Sequence, residues 1–464
     1  MGILRLSLLS KNFLVGKILQ LILKGDAMNS IGSKVKTLGV IAVVLTLFHL
    51  SSANAENYQP QVTKLENWLS VNKDQATGLP HSHVGDGRFD DWAITYDSAV
   101  TTLAYIAVGN INDAKRILDF YIQTPKVWRL DGIIEAVNPT GHSTLGEDWA
   151  VRTGSNLWMG MAGFHLYKAT GDVKYLDLAR RLADFAISLQ SNDEKDTNFG
   201  GISLGPQGDK AFPNDQHLGG DASQISFFKL FATEHNVDAY ALFNMLYQET
   251  KDKKYQDARD GVLRWLKYVG YNKEEHRFNR GCSRVDGVDT VVATDVHTWG
   301  ISALGVEELN TFESEFAEKV VNFIEKNCLS EVSYVKPNKK VVRVRGVDFI
   351  DRKLAADLGR KPMVSPEWTF QLINAYGQLA DHFERSGDVK KAGMYRQKRQ
   401  VLIKSMLDLA VDSNDMLAYP YATQADAVVG HEYNTPRKGN LSTIGVAYGI
   451  LALTAFDPLV VNTK

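Results

Sequence analysis

The sequence predicts an all-α fold, a closed ring of six antiparallel helical hairpins. Three observations point to it. After residue 56 the chain is dominated by apolar positions recurring at the helical period. Very short turns alternate with long loops between the helices. Clusters of acidic, aromatic and histidine residues recur where every second helix begins. They are Asp90-Asp91-Trp92, Glu147-Asp148-Trp149, Glu234-His235-Asn236, Asp295-Val296-His297, Glu367-Trp368 and His431-Glu432-Tyr433.

The N-terminus predicts export. Lys34 and Lys36 precede an apolar run from Leu38 to Leu50, and Ser51-Ser52-Ala53-Asn54-Ala55 follows. A basic stretch, a short apolar stretch and an A-x-A site form a signal peptide, cleaved after Ala55. Residues 1–55 are therefore assigned to the leader, with Met28 an alternative start. The run falls short of the roughly 20 apolar residues of a spanning helix, so no stable membrane span is expected after cleavage. A periplasmic or secreted protein with one domain, 56–464, is the expectation.

Helices are predicted near 60–72, 93–108, 111–122, 153–169, 173–190, 235–250, 253–269, 295–308, 312–327, 366–385, 388–409 and 440–456. Pairs of them are joined by Gly109-Asn110, Gly171-Asp172, Lys251-Asp252 and Gly387-Asp388. Turns that short force antiparallel hairpins. Long loops fall near 123–152, 191–234, 270–294, 328–365 and 410–439, with a small β-hairpin expected around Val341-Val342-Arg343-Val344-Arg345. When all long loops share one face, that face holds the function. A closed ring also leaves no apolar edge, unlike an open solenoid.

Composition limits the partners. A formal net charge of -2 argues against nucleic acid or an anionic membrane as main partner. The two cysteines, Cys282 and Cys328, are expected to pair in an oxidising compartment. Zinc spacings, Walker loops, dinucleotide fingerprints and nucleophile elbows are absent from the sequence. Asn192 to Gly200 resembles a calcium loop but lacks its distal glutamate, so it reads as a solvated turn. No cofactor and no metal are expected.

The helical pattern, with Arg152-Thr153-Gly154-Ser155-Asn156-Leu157-Trp158, Thr233-Glu234-His235-Asn236-Val237-Asp238-Ala239-Tyr240 and Ser365-Pro366-Glu367-Trp368, resembles the (α/α)6 barrel of the six-hairpin glycosidase superfamily. The resemblance covers nearly all of residues 56–464. It implies a site in the funnel formed by the loops before the inner helices. Members include inverting glycoside hydrolases, sugar epimerases and polysaccharide lyases.

Glycosidic cleavage needs one carboxylic acid to protonate the leaving oxygen and one carboxylate to activate water or attack. Glu234 is the expected acid; it shares a helical face with Asp238, beside His235. The base is Asp148 or Asp97, with Glu367 in reserve. Acidic first-turn residues also serve helix dipoles, and Ser365-Pro366-Glu367 reads equally as an N-cap, N1 proline and acidic first turn. Trp92, Trp149, Trp299 and Trp368 are expected to stack on sugar rings. Asp91, Tyr96, Glu147, Arg152, His235, Asp238, His297, Glu432 and Tyr433 are expected to contact a carbohydrate substrate. The rival readings are an epimerase or lyase using His235, His297, His431 or a tyrosine as base, and a non-catalytic glycan-binding protein.

Overall fold

The computed structural model describes residues 58–140, 150–207, 226–431 and 433–461. The expected leader lies outside the described residues, and the region from Tyr58 onward forms one compact unit. Thirteen α-helices are present among the described residues: α1 (Gln59–Val71), α2 (Thr95–Val108), α3 (Ile111–Gln123), α4 (Thr153–Thr170), α5 (Val173–Ser188), α6 (Thr233–Thr250), α7 (Lys253–Trp265), α8 (Thr294–Leu309), α9 (Phe316–Asn327), the short α10 (Arg352–Asp357), α11 (Pro366–Arg385), α12 (Val389–Leu409) and α13 (Thr443–Leu453).

These form an (α/α)6 barrel. The inner ring is α2, α4, α6, α8, α11 and α13; each packs on the next, and α13 closes onto α2. All eleven residues of α13 and the first fourteen of α4 are buried, because the inner ring is covered on both sides. Outer helices such as α3 and α5 bury one stripe only, matching their amphipathic sequences.

The short turns combine two devices. Gly171 ends α4 at φ 75°, a left-handed conformation that costs glycine little. The next residue, Asp172, caps α5 by accepting from the Lys174 N–H at 3.2 Å. Asp252 and Asp388 repeat the cap on α7 and α12. Lys251 takes the left-handed position without being glycine (φ 58°).

A second device ties each inner helix to the following loop through its first residue. Thr95 donates its N–H to the Glu135 carbonyl (2.8 Å) and its hydroxyl to the Ile134 carbonyl (2.7 Å). Thr153 does the same to Leu204 and Ser203, and Thr294 to Phe349 and Asp348. Thr443 reaches back to Ser82 and His81, so the same staple closes the ring between its ends. Thr233 keeps only the N–H bond, to Arg280. Proline at 366 has no N–H to give, and Ser365 donates to the Val347 carbonyl instead.

Several expectations are corrected. Helix α7 stops at Trp265 and passes into a π-helical turn, Leu266–Gly270, whose Val269 and Gly270 carbonyls accept from Asn279. Helix α9 starts at Phe316 rather than 312, and α10 was not anticipated. The expected disulfide is not formed: Cys282 and Cys328 are both free and buried. Cys282 sits on a strand near Asn198 and Asp196, whereas Cys328 ends α9 near Thr294 and Asp348. In the 192–200 turn, Asp196 is bonded to Ser191 (2.6 Å) and paired with Arg284 (2.8 Å). The expected hairpin forms, as strands Leu329–Val335 and Val341–Val347.

Candidate active site

Four inner helices place a polar side chain at their second residue: Tyr96, Glu234, Asp295 and Glu367. The Tyr96 hydroxyl donates to Glu367 Oε1 at 2.8 Å across the ring. Glu234 and Asp295, on adjacent helices, are hydrogen-bonded to each other. One helical turn deeper, position five after the first residue, stand Trp158, Asp238, Trp299, Gln371 and Tyr448. Trp158 and Trp299 have ring centroids 5.3 Å apart, Tyr96 lies edge-on to Trp158 at 5.4 Å, and its hydroxyl is 3.1 Å from that of Tyr448. The site is thus two stacked layers, carboxyls above and an aromatic floor below.

The carboxyls differ in charge. Burial raises Glu367 to about 8; the charges of Asp97 and Glu234 add to this, and the Tyr96 hydrogen bond opposes it. Burial raises Asp97 to about 7 against a Ser82 hydrogen bond. Asp238 lies well above the ordinary range through burial and the Glu234 charge. Glu234 behaves oppositely. Its burial is outweighed by the hydrogen bond and charge of His235, whose Nε2 is 3.3 Å from Glu234 Oε1, and by the hydrogen bond of Asp295. Of the Glu234–Asp295 pair, Asp295 is buried and Glu234 keeps solvent access, so Asp295 holds the proton and Glu234 is ionised. The expectation of Glu234 as acid does not fit that charge state.

His235 is positioned by its neighbour. Gly154 lies beneath the imidazole, where a Cβ would fall 2.4 Å from His235 Cδ2 and 2.5 Å from Nε2. His235 Nδ1 and Asp238 Oδ1 are buried with no hydrogen-bond partner.

An aromatic wall rises on one side. Phe349 stacks on Tyr421 (5.6 Å) and meets Trp368 edge-on (4.8 Å). The Tyr421 and Tyr433 hydroxyls are 2.9 Å apart, and burial raises both phenols, with Glu367 adding to this once it ionises. His431 lies 5.8 Å from Trp368; burial lowers it to about 4, so it is neutral. His83, 5.9 Å from Tyr421, is likewise lowered to about 4 by burial.

The structure therefore brings together Tyr96, Asp97, Glu234, His235, Asp238, Glu367, Trp368 and Tyr433. Trp299 and Asp238 belong to the floor rather than the upper wall. Trp92 packs edge-on to Phe89 on the 81–92 loop, beside the exposed Asp91. Arg152 pairs with Glu135, which also accepts from Ser155 at 2.8 Å. His297 is corrected: it is fully buried, bonded through Nδ1 to the Ala293 carbonyl and stacked on Phe323 of the outer helix α9. It faces away from the axis and is a packing residue. Glu147, Asp148, Trp149 and Glu432 lie outside the described residues. Glu135, Trp158, Gln371, Tyr421 and Tyr448 were missed, and Asp295 was singled out only within the Asp295-Val296-His297 cluster, without a role. The step of four from each inner helix's second residue would have found Trp158, Gln371 and Tyr448.

No family model and no curated protein matches the sequence. Solved structures match its fold. Cellobiose 2-epimerase from Bacillus thermoamylovorans B4167 is similar with a TM-score of 0.57 at 12% identity, over 85% of this chain and 98% of that one. The GH76 α-mannanase BT2949 of Bacteroides thetaiotaomicron is similar with a TM-score of 0.57 at 12% identity, over 87% and 96%. An inactive variant of the α-1,6-mannanase GH76A of Salegentibacter sp. HEL1_6, in complex with α-1,6-mannotriose, is similar with a TM-score of 0.53 at 12% identity, over 86% and 99%. The chain shares the (α/α)6-barrel fold of these structures.

Proposed function

We propose that the protein is an exported glycoside hydrolase, with Glu367 as general acid and Glu234 as general base. The observation that carries this is the contrast between two carboxyls on the inner helices that flank α8: Glu367 is buried and raised to about 8, while Glu234, with His235 Nε2 3.3 Å away, is held low. Acid and base roles follow when two carboxyl environments push their pKa values apart. At neutral pH Glu367 has a proton for the leaving oxygen and Glu234 can take one from water. Glu234 acts on Glu367 by charge, with no hydrogen bond between them among the described residues. A water between the two would give inversion. Trp368, Tyr421 and Tyr433 supply flat and hydroxylated surface for a sugar. The mannanases among the similar structures favour this reading; their own substrates need not be this protein's.

Sugar epimerisation is the second reading. It rests on the neutral imidazoles of His431 and His83 in the aromatic wall, since a neutral imidazole can accept a carbon-bound proton. Signal-peptide cleavage after Ala55, with a periplasmic or secreted protein as product, belongs to the same proposal. The test is a time course with a panel of plant and bacterial glycans, followed by proton NMR. New anomeric signals support hydrolysis and report the anomer formed. A C2-epimerised product supports the second reading, and unsaturated sugars would mean a lyase.

A further inference from the structure

The formal charge of -2 conceals a cationic, partly apolar face on the outside of the barrel. The hairpin of strands Leu329–Val335 and Val341–Val347 lies along α12, with the Arg345 N–H donated to Ser405 Oγ and Lys336 Nζ to the Ala410 carbonyl. These two elements carry eleven Lys and Arg against two acidic residues, Glu331 and Asp408. Part of that charge is neutralised, as Lys391 pairs with Glu318, Lys398 with Glu325, Arg396 with Glu384 and Arg343 with Glu331. Lys339, Lys340, Arg345 and Lys404 are exposed and make no ion pair among the described residues.

Apolar exposure concentrates on the same two elements. Of thirteen large apolar side chains exposed among the described residues, five are here: Val335 (61%), Val341 (62%), Val389, Met394 and Val401. Val335 and Val341 are cross-strand partners flanking the turn that carries Lys339 and Lys340. On α12, Lys390, Met394, Gln397, Val401 and Lys404 follow one another along a single exposed stripe.

We propose that this hairpin and helix dock the barrel peripherally on an anionic lipid bilayer. Cations alone would suit any polyanion. Valines interleaved with lysines at a hairpin tip favour a surface that offers both anionic headgroups and an apolar layer beneath them. The contact is independent of the catalytic reading, because none of these residues reaches the carboxyl ring.

The experiment is flotation of residues 58–464, a compact unit that holds both hydrophobic clusters found among the described residues, with vesicles of phosphatidylcholine alone or with added phosphatidylglycerol. Omitting the leader removes the Leu38–Leu50 run, which would bind lipid by itself. Expected is binding to the anionic vesicles only. The Lys339→Glu/Lys340→Glu variant should lower the partition coefficient by about tenfold or more. Val335→Ser/Val341→Ser should lower it by several-fold, with melting temperature unchanged in both variants. No binding to anionic vesicles overturns the proposal. Binding that the valine variant leaves intact and dextran sulfate fully displaces also overturns it, in favour of a soluble polyanion.

Discussion

Gly154 leaves the space that the His235 imidazole fills, and that imidazole stands 3.3 Å from Glu234 Oε1. One residue of α4 thereby sets the electrostatics of a carboxylate on α6. In Gly154→Ala the methyl would overlap the ring, so the imidazole must move off Glu234. The acid limb of kcat/KM is then expected to rise toward the ordinary glutamate value near ~4.3. Activity at neutral pH is expected to fall by about tenfold or more through lost orientation. A pH–rate profile checks this; an unmoved acid limb would show that His235 does not hold Glu234 ionised.

Glu367→Gln separates activity from stability. Loss of the proton donor is expected to lower kcat by about 10²–10⁴. A carboxyl raised from its ordinary value to about 8 binds its proton more tightly in the native state. Its stability contribution is full below the unfolded pKa and is lost as pH climbs through about 8. The variant should therefore melt higher than the parent at pH 8, by roughly 2–4 °C, and no higher at pH 4. Melting curves at the two pH values decide it.

Thr153→Val tests the staples. The change keeps the shape and removes the 2.7 Å bond to the Ser203 carbonyl, leaving that buried acceptor unpaired. A loss of about 1–3 kcal/mol is expected in denaturant unfolding. The chemistry near Glu234 and Glu367 should not change, so kcat per folded molecule should match the parent.

Much of this fold was legible because the inner and outer helices obey different sequence rules. Gly171-Asp172 and Gly387-Asp388 announced hairpins by turn chemistry, and Ser365-Pro366-Glu367 announced the start of α11. The mouth was legible for Tyr96, Glu234 and Glu367, since polar residues open otherwise apolar helices there. The floor was not. Trp158 and Tyr448 look like ordinary core residues until the helices are placed in a ring. His297 misled for the converse reason: a histidine in the first turn of an inner helix can rotate outward, and this one packs on Phe323. The charge states of Glu234 and Glu367 depend on burial and on partners from other helices, which sequence spacing does not reveal.

The cysteines give a simple check. With Cys282 and Cys328 both free, the denatured protein should titrate two thiols, and reductant should leave the melting temperature unchanged. A titre of zero before reduction would mean the pair is bridged.

The opposed protonation of Glu367 and Glu234 is tested most directly by a carbon-13 NMR titration of the glutamate side-chain carboxyls, assigned with Glu234→Gln and Glu367→Gln. The account predicts that Glu367 titrates near 8 while Glu234 stays ionised to well below the ordinary glutamate range. Ordinary titration of Glu367 near ~4.3, or a protonated Glu234 at neutral pH, would contradict it.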